Sequence, residues 1–190
     1  IDALATEGTR FTAAVSTSGW TLPAVASLMT ATWPAIHGAT GKNADMYPLR
    51  EGLRTGAECF AEAGDRTLGF ANAAYVSPML GLDRGFELYD HRHAFNSDIR
   101  RADETIDAAL AQIRAHRKDP QFVFIHLFDA HLDYDPPEGY RTRFTSGRGE
   151  PPPPLDWEAC FSLQRGDGSQ APAPEDIAYL KGVYFGEIAF

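Results

Sequence analysis

Gln121-Phe-Val-Phe-Ile-His-Leu-Phe128, followed at once by Asp129-Ala-His131-Leu-Asp-Tyr-Asp-Pro-Pro137, decides the fold. The first eight residues are nearly continuously apolar, as a strand reads when a parallel sheet is covered on both faces. The polar residues after it fall where an α/β sheet places its ligands, past the carboxyl end of a strand. Outward from this run, Thr67 to Ala71 reads as a second strand. Arg10 to Ser16 reads as a third, because Phe11, Ala13 and Val15 alternate. Helices fall between them. Ile1 to Glu7 reads as a helix end stopped by Gly8. Pro23 to Ala31 reads as a helix with Pro in its first turn, ended by Trp33-Pro34. Leu49 to Ala63 puts Leu49, Leu53, Ala57 and Phe60 inward, with Gly64 as stop. Asp98 caps a helix bearing Ile99, Ala102, Ile106, Ala109, Leu110 and Ile113 on one face. Pro174 opens a last helix with Ile177, Leu180, Tyr184 and Ile188 inward. Residues 72–97 read as irregular. Residues 135–173 are rich in Pro and Gly, too long for a plain connection, and read as an insertion or lid. The alternation predicts an α/β fold with a mostly parallel central sheet and helices on both faces.

The chain has 190 residues, the size of one domain or a piece of a larger one. It carries 17 Lys and Arg against 26 Asp and Glu, a net charge of −9, which argues against nucleic-acid binding through the overall field. An anion would need a local device such as a helix N-terminus, a metal or a few placed donors. No stretch approaches the roughly 18–20 apolar residues that span a bilayer, so no membrane span lies within these residues. Two cysteines, Cys59 and Cys160, fit one disulfide or two free thiols equally and leave the compartment open. The first residue is Ile1 with no leader before it, and the expectation is an internal piece of a longer protein.

Four places could carry chemistry. Thr21 stands just before a helix start, where free N–H groups and the positive dipole end suit an anionic ester. Its alternative role is a helix cap. Asp129 and His131 fall past the strand end, where a histidine among carboxylates can bind a metal or donate a proton; the alternative is a polar loop of solvated acids. His126, inside the strand, reads as a core histidine. His37, in Trp33-Pro-Ala-Ile-His37-Gly38, reads as a turn residue. Leu80 to Tyr89 reads as an ordered loop anchored by an Asp83 or Arg84 pair. Arg100 and Arg101 with Asp103 and Glu104 read as a solvated helix face.

Taken in order, these segments resemble the sulfatase branch of the alkaline phosphatase superfamily. Ile1-Asp-Ala-Leu-Ala-Thr-Glu-Gly-Thr-Arg-Phe-Thr12 is similar to the stretch before the family's nucleophile. Thr21-Leu-Pro23-Ala-Val-Ala-Ser-Leu28-Met-Thr30-Ala31 matches the signature Cys/Ser/Thr-x-Pro-Ser-Arg-x-x-Leu-x-Thr-Gly. Trp33-Pro-Ala-Ile-His37-Gly38, Gly81-Leu-Asp-Arg-Gly-Phe86, Phe124 through Pro137 and Tyr184-Phe-Gly-Glu-Ile-Ala-Phe190 match four later motifs in register.

The resemblance implies a metal-dependent hydrolase of phosphate or sulfate esters. The cofactor would be a divalent metal ion: zinc, calcium, magnesium or manganese. The substrate would be a small-molecule, lipid or sugar ester. By position Thr21 is the catalytic nucleophile and a metal ligand, and His131 holds the substrate anion or the leaving oxygen. The family's Lys-Trp-His falls at Asn72-Ala-Ala74, and Asn72 would bind substrate through its amide. A sulfatase makes formylglycine from Cys or Ser, which threonine cannot form, so phosphate esters are favoured and a covalent Thr intermediate is expected. The signature's Ser-Arg is Ala24-Val25 here. The other metal carboxylates are expected in segments flanking these residues on both sides. The whole chain is thus expected to be part of one sulfatase-like catalytic domain, inactive alone. The alternatives are a sulfuric or phosphonate ester hydrolase of the same fold, and a non-catalytic protein that binds an anion or a partner.

Overall fold

The computed structural model describes residues 2–92, 100–132, 134–145 and 173–190. Its sheet has β1 (Arg66–Ala71) between β2 (Leu88–His91) and β3 (Gln121–His126). Glu87 N–H donates to Thr67 O and Arg92 N–H to Ala71 O, while Arg66 N–H donates to Pro120 O. Thr67 to Ala71 runs alongside Glu87 to Arg92, and Arg66 to Asn72 alongside Pro120 to His126, whose Nδ1 is 3.1 Å from Asn72 O, so β1 pairs in parallel on each side. The α/β fold with a parallel sheet is what the sequence predicts. β1 is buried from Thr67 through Ala71. β3, expected to be covered on both faces, is half-buried at every position, because it is an edge strand among the described residues.

The chain divides into two compact units. Ile1–Gly69, Ala73–His91 and His116–Phe124 make the first; Phe70–Asn72, Arg92–Ala115 and Ile125–Phe190 make the second. The first holds α1 (Asp2–Glu7), α2 (Thr21–Thr30), α3 (Pro34–His37) and α4 (Gly56–Glu62). Its core includes Leu22, Ala26, Leu49, Ala57, Leu68 and Val76. The second holds α5 (Ala102–Ala115), α6 (Glu138–Arg141) and α7 (Pro174–Ala189).

Several elements depart from the sequence expectation, each for a physical reason. Residues 10–16 form no strand: Phe11 and Val15 are 80% and 90% exposed. Alternation makes a strand only where a neighbour accepts its ladder bonds, and none of the described strands does so here. α4 starts at Gly56, not Leu49. Thr55 caps it, accepting Glu58 N–H at 3.1 Å while Glu58 Oε2 accepts Thr55 N–H at 2.7 Å. This reciprocal pair fixes the start more firmly than apolar spacing does. β2 lies within the stretch read as irregular, since Leu-Tyr-Asp-His has no apolar alternation to betray it. The 80–89 loop is ordered as expected, but Arg84 anchors it through backbone carbonyls, with Nη2 2.9 Å from Leu53 O. Gly85 has φ +86°, and a Cβ there would come within 2.2 Å of Glu58 N.

α7 shows the largest change of face. The buried residues are Tyr179, Gly182, Val183, Gly186 and Glu187, while Ile177 and Ile188 are exposed. Two glycines four apart let the α7 backbone approach its neighbours. A Cβ on Gly182 would be 2.5 Å from Phe144 O, and one on Gly186 2.8 Å from Tyr140 O. Close backbone contact, not the larger apolar side chains, sets the rotation. The Asp98 cap and most of the 135–173 insertion lie outside the described residues.

Candidate functional site

Thr21 is the first residue of α2, and Trp20 is its N-cap with no side-chain capping bond. Trp20 is held by Tyr75, edge to face at 5.1 Å, with Lys42 Nζ 5.2 Å above its ring. The Thr21 hydroxyl therefore caps nothing. It stands half-buried at a ten-residue helix's positive end, without a hydrogen-bond partner among the described residues. That position suits an oxygen on which negative charge develops.

The far side of α2 is braced by His37, a residue read from the sequence as a turn histidine. It is fully buried at the end of α3. Ala39 N–H donates to its Nδ1 at 3.0 Å, so in the neutral ring Nε2 carries the hydrogen and faces Ser27 Oγ at 3.0 Å. Burial is the main reason its pKa lies below the ordinary imidazole value; the Arg50 charge adds to this, and a contact with the Pro23 backbone works the other way. A neutral imidazole thus ties α3 to α2. Ala24 and Val25, where the family signature has Ser and Arg, line a cavity of about 400 Å³ with Val15, Thr17 and Leu28. A larger cavity, about 620 Å³, is lined by Pro34, Thr40, Tyr47 and Arg50 and includes none of the predicted site residues.

In the second unit, His131 sits past the end of β3, as read from the sequence. Its ring stacks on Phe128 at 4.2 Å and 16°, and Nδ1 is 2.6 Å from Leu132 O. A carbonyl only accepts, so Nδ1 carries a hydrogen. A proton at Nε2 then requires the imidazolium form. Asp129 is not a solvated acid: Oδ1 accepts Ala102 N–H at 2.8 Å and caps α5 from outside the helix, while Oδ2 is buried. His126, the last residue of β3, has Nδ1 3.1 Å from Asn72 O.

Asn72 follows β1 and is fully buried. Its amide nitrogen donates to Arg100 O at 3.1 Å and Thr105 Oγ1 at 2.6 Å. Both N–H groups are thereby committed within the unit, and only Oδ1 is left buried without a partner. An anion would need a donor that this amide no longer offers. The same network corrects the reading of Arg100 as solvated. Arg100 is 9% exposed, with Nε donating to Thr105 Oγ1 at 3.1 Å. Asp103 and Glu104 do face solvent. Thr21 thus belongs to the first unit, and Asn72 and His131 to the second.

The sulfatase family model matches residues 1–171. The chain belongs to the sulfatase family. Its fold is also similar to a solved structure, the C-terminal periplasmic domain of EcEptC from Escherichia coli in complex with zinc. The TM-score is 0.55 and the identity 17%, over 98% of this chain and 48% of that one. This sulfatase-family chain therefore spans about half the length of that structure. No curated protein matches it at a significant level.

The family implies a divalent metal. Among the described residues of this sulfatase-family chain, no three His, Cys, Asp or Glu side chains stand close enough to share an ion. A lone Thr21 hydroxyl is one weak ligand, so the described residues do not fit a metal centre by themselves. Cys59 is exposed and free, and Cys160 lies outside the described residues. No helix among the described residues is long and apolar enough to cross a membrane.

Two contributors escaped the sequence reading. Glu187 was visible only as a letter in a motif, and it proves to be a buried acid, 7% exposed, accepting Asp135 N–H at 2.6 Å. His37 carried a signal, since a histidine three residues after the helix-opening Pro34 is well placed to fold back on the preceding helix.

Proposed function

We propose that the whole protein cleaves a phosphate ester through a covalent phospho-threonine, with Thr21 Oγ1 as the nucleophile. The observation that carries this reading is the Thr21 hydroxyl itself, first in α2, capping nothing, at the helix's positive end. Membership of the sulfatase family supports it. Threonine in place of Cys or Ser favours phosphate over sulfate, because threonine cannot become formylglycine. Attack by Oγ1 on phosphorus, with the hydroxyl proton passing to solvent, forms the phospho-threonine and expels the alcohol. Water then releases phosphate and restores the hydroxyl. His131, as imidazolium, donates from Nε2 to the departing oxygen.

Asn72, with both donors committed, supports the Arg100–Thr105 network and not the substrate directly. A divalent metal held mostly by residues outside this chain is part of the proposal. So is the substrate class, a small-molecule, lipid or sugar ester.

Thr21→Ala in the whole protein, assayed with chromogenic phosphate monoesters and diesters, should lose turnover by a factor on the order of 10³ or more with the fold intact. Thr21→Ser should keep part of the rate. An Ala variant that retains a tenth of the activity overturns the nucleophile reading.

A further inference from the structure

Two part-buried carboxylate contacts hold the chain on either side of His131. At its start, Asp129 Oδ1 accepts the N–H of Ala102, the first residue of α5, at 2.8 Å. At its end, Glu187 Oε1 on α7 accepts the N–H of Asp135 at 2.6 Å. Arg141 pairs with the Asp135 carboxylate and adds a further tie at that end. Between the two anchors lies His131, stacked on Phe128 and bound through Nδ1 to Leu132 O.

Glu187 is an uneconomical residue for packing alone. It is 7% exposed, and the charged neighbours that face it are Asp129 and Asp135, with Arg101 opposing them. Burial is the main reason its pKa lies above the ordinary carboxylate range; Asp129 and Asp135 add to this, and the Asp135 N–H and Arg101 work against it. An apolar residue of similar size would avoid that desolvation. What an apolar residue could not do is accept the Asp135 N–H, which directly precedes the stiff Pro136-Pro137. The anchor therefore acts at the residue just before Pro136, which is itself buried beside Gly186 of α7.

We propose that Glu187, together with Asp129, is a positioning residue that sets the orientation of the His131 imidazole by holding the chain at Asp129 and at Asp135, on either side of it in sequence. Its catalytic meaning rests on the role given to His131 above, but the positioning itself can be read without turnover.

The test is NMR of the full chain with labelled histidine, which has six histidines to resolve. The His131 ring signals, identified by their loss in His131→Gln, should be displaced upfield by the Phe128 ring. In Glu187→Ala they should move toward ordinary imidazole positions. In Glu187→Gln they should stay near the wild-type position, because the amide oxygen still accepts the Asp135 N–H. Wild-type signals in a folded Glu187→Ala variant, or failure of Gln to preserve them, overturns the proposal. If Glu187→Ala does not fold, amide exchange in the unaltered chain decides. Asp135 should exchange as slowly as the amides of α7, and exchange at the rate of an unbonded loop amide overturns the proposal.

In the whole protein, Glu187→Ala should lower kcat by up to about 100-fold with little change in KM, as for a misplaced catalytic group. Unchanged kcat alongside displaced His131 signals supports the positioning and counts against His131's part in the reaction.

Discussion

Nδ1 of His131 is committed to the Leu132 carbonyl, so the ring donates from Nε2 only when charged. An imidazolium matters most where the leaving oxygen is basic. His131→Gln should therefore lower kcat by about 10²–10⁴-fold for esters with poor leaving groups and far less for good ones. Equal losses across a leaving-group series would contradict proton donation and leave an anion contact. His37 makes a different prediction, on stability. Its folded pKa is depressed below the ordinary 6.5, mainly by burial. As pH falls below that value, the unfolded chain takes up a proton that the folded chain refuses. The stabilising contribution is complete above the unfolded pKa and is lost as pH falls toward the folded one, with a slope of at most about 1.4 kcal/mol per pH unit. Urea unfolding between about pH 8 and about pH 5.5 should show this loss, and His37→Gln should flatten it. Identical slopes in the two proteins would contradict the account. The sequence placed Thr21 at a helix start and His131 past a strand end, because each adjoins an element it could announce, a proline-opened helix and an apolar run. It could not show that Asn72's donors are taken, or that Arg100 is buried, since both facts depend on Thr105, which is 33 and 5 residues away.

At the scale of elements, the α7 glycines are the most exposed part of the account. Alanine is the better helix former by about 1 kcal/mol, so Gly182→Ala on an open helix would stabilise. Here its Cβ would lie 2.5 Å from a backbone oxygen, which must move. The expected result is a net loss of roughly 1–3 kcal/mol in denaturant unfolding. Equal or greater stability would show that α7 does not pack through this face. The same case explains why periodicity misassigned the buried side of α7: apolar spacing ranks residues by size, whereas close helix contact selects for the absence of a side chain. β1, β3, α2, α5 and α7 were legible from their apolar pattern, reinforced at α2 and α7 by a proline in the first turn. Residues 10–16 and β2 were not, because strand pairing is decided by a distant neighbour.

For the whole molecule, the parallel sheet and the match over residues 1–171 place this acidic chain in the sulfatase family, and its charge of −9 makes a local device for an anion necessary. Six short motifs in register were enough to read the family from sequence, because their order and spacing reflect one fold. What that order could not supply is a metal centre, since the described residues do not assemble one. The central claim is that Thr21 carries the transferred group. The direct measurement is to quench the whole protein during turnover of a phosphate ester and to map the peptide containing Thr21 by mass spectrometry. The account predicts a phosphoryl group on Thr21, formed and lost at the rate of turnover, and absent from Thr21→Ala. Turnover with Thr21 unmodified throughout, or with the label on another side chain, would contradict it.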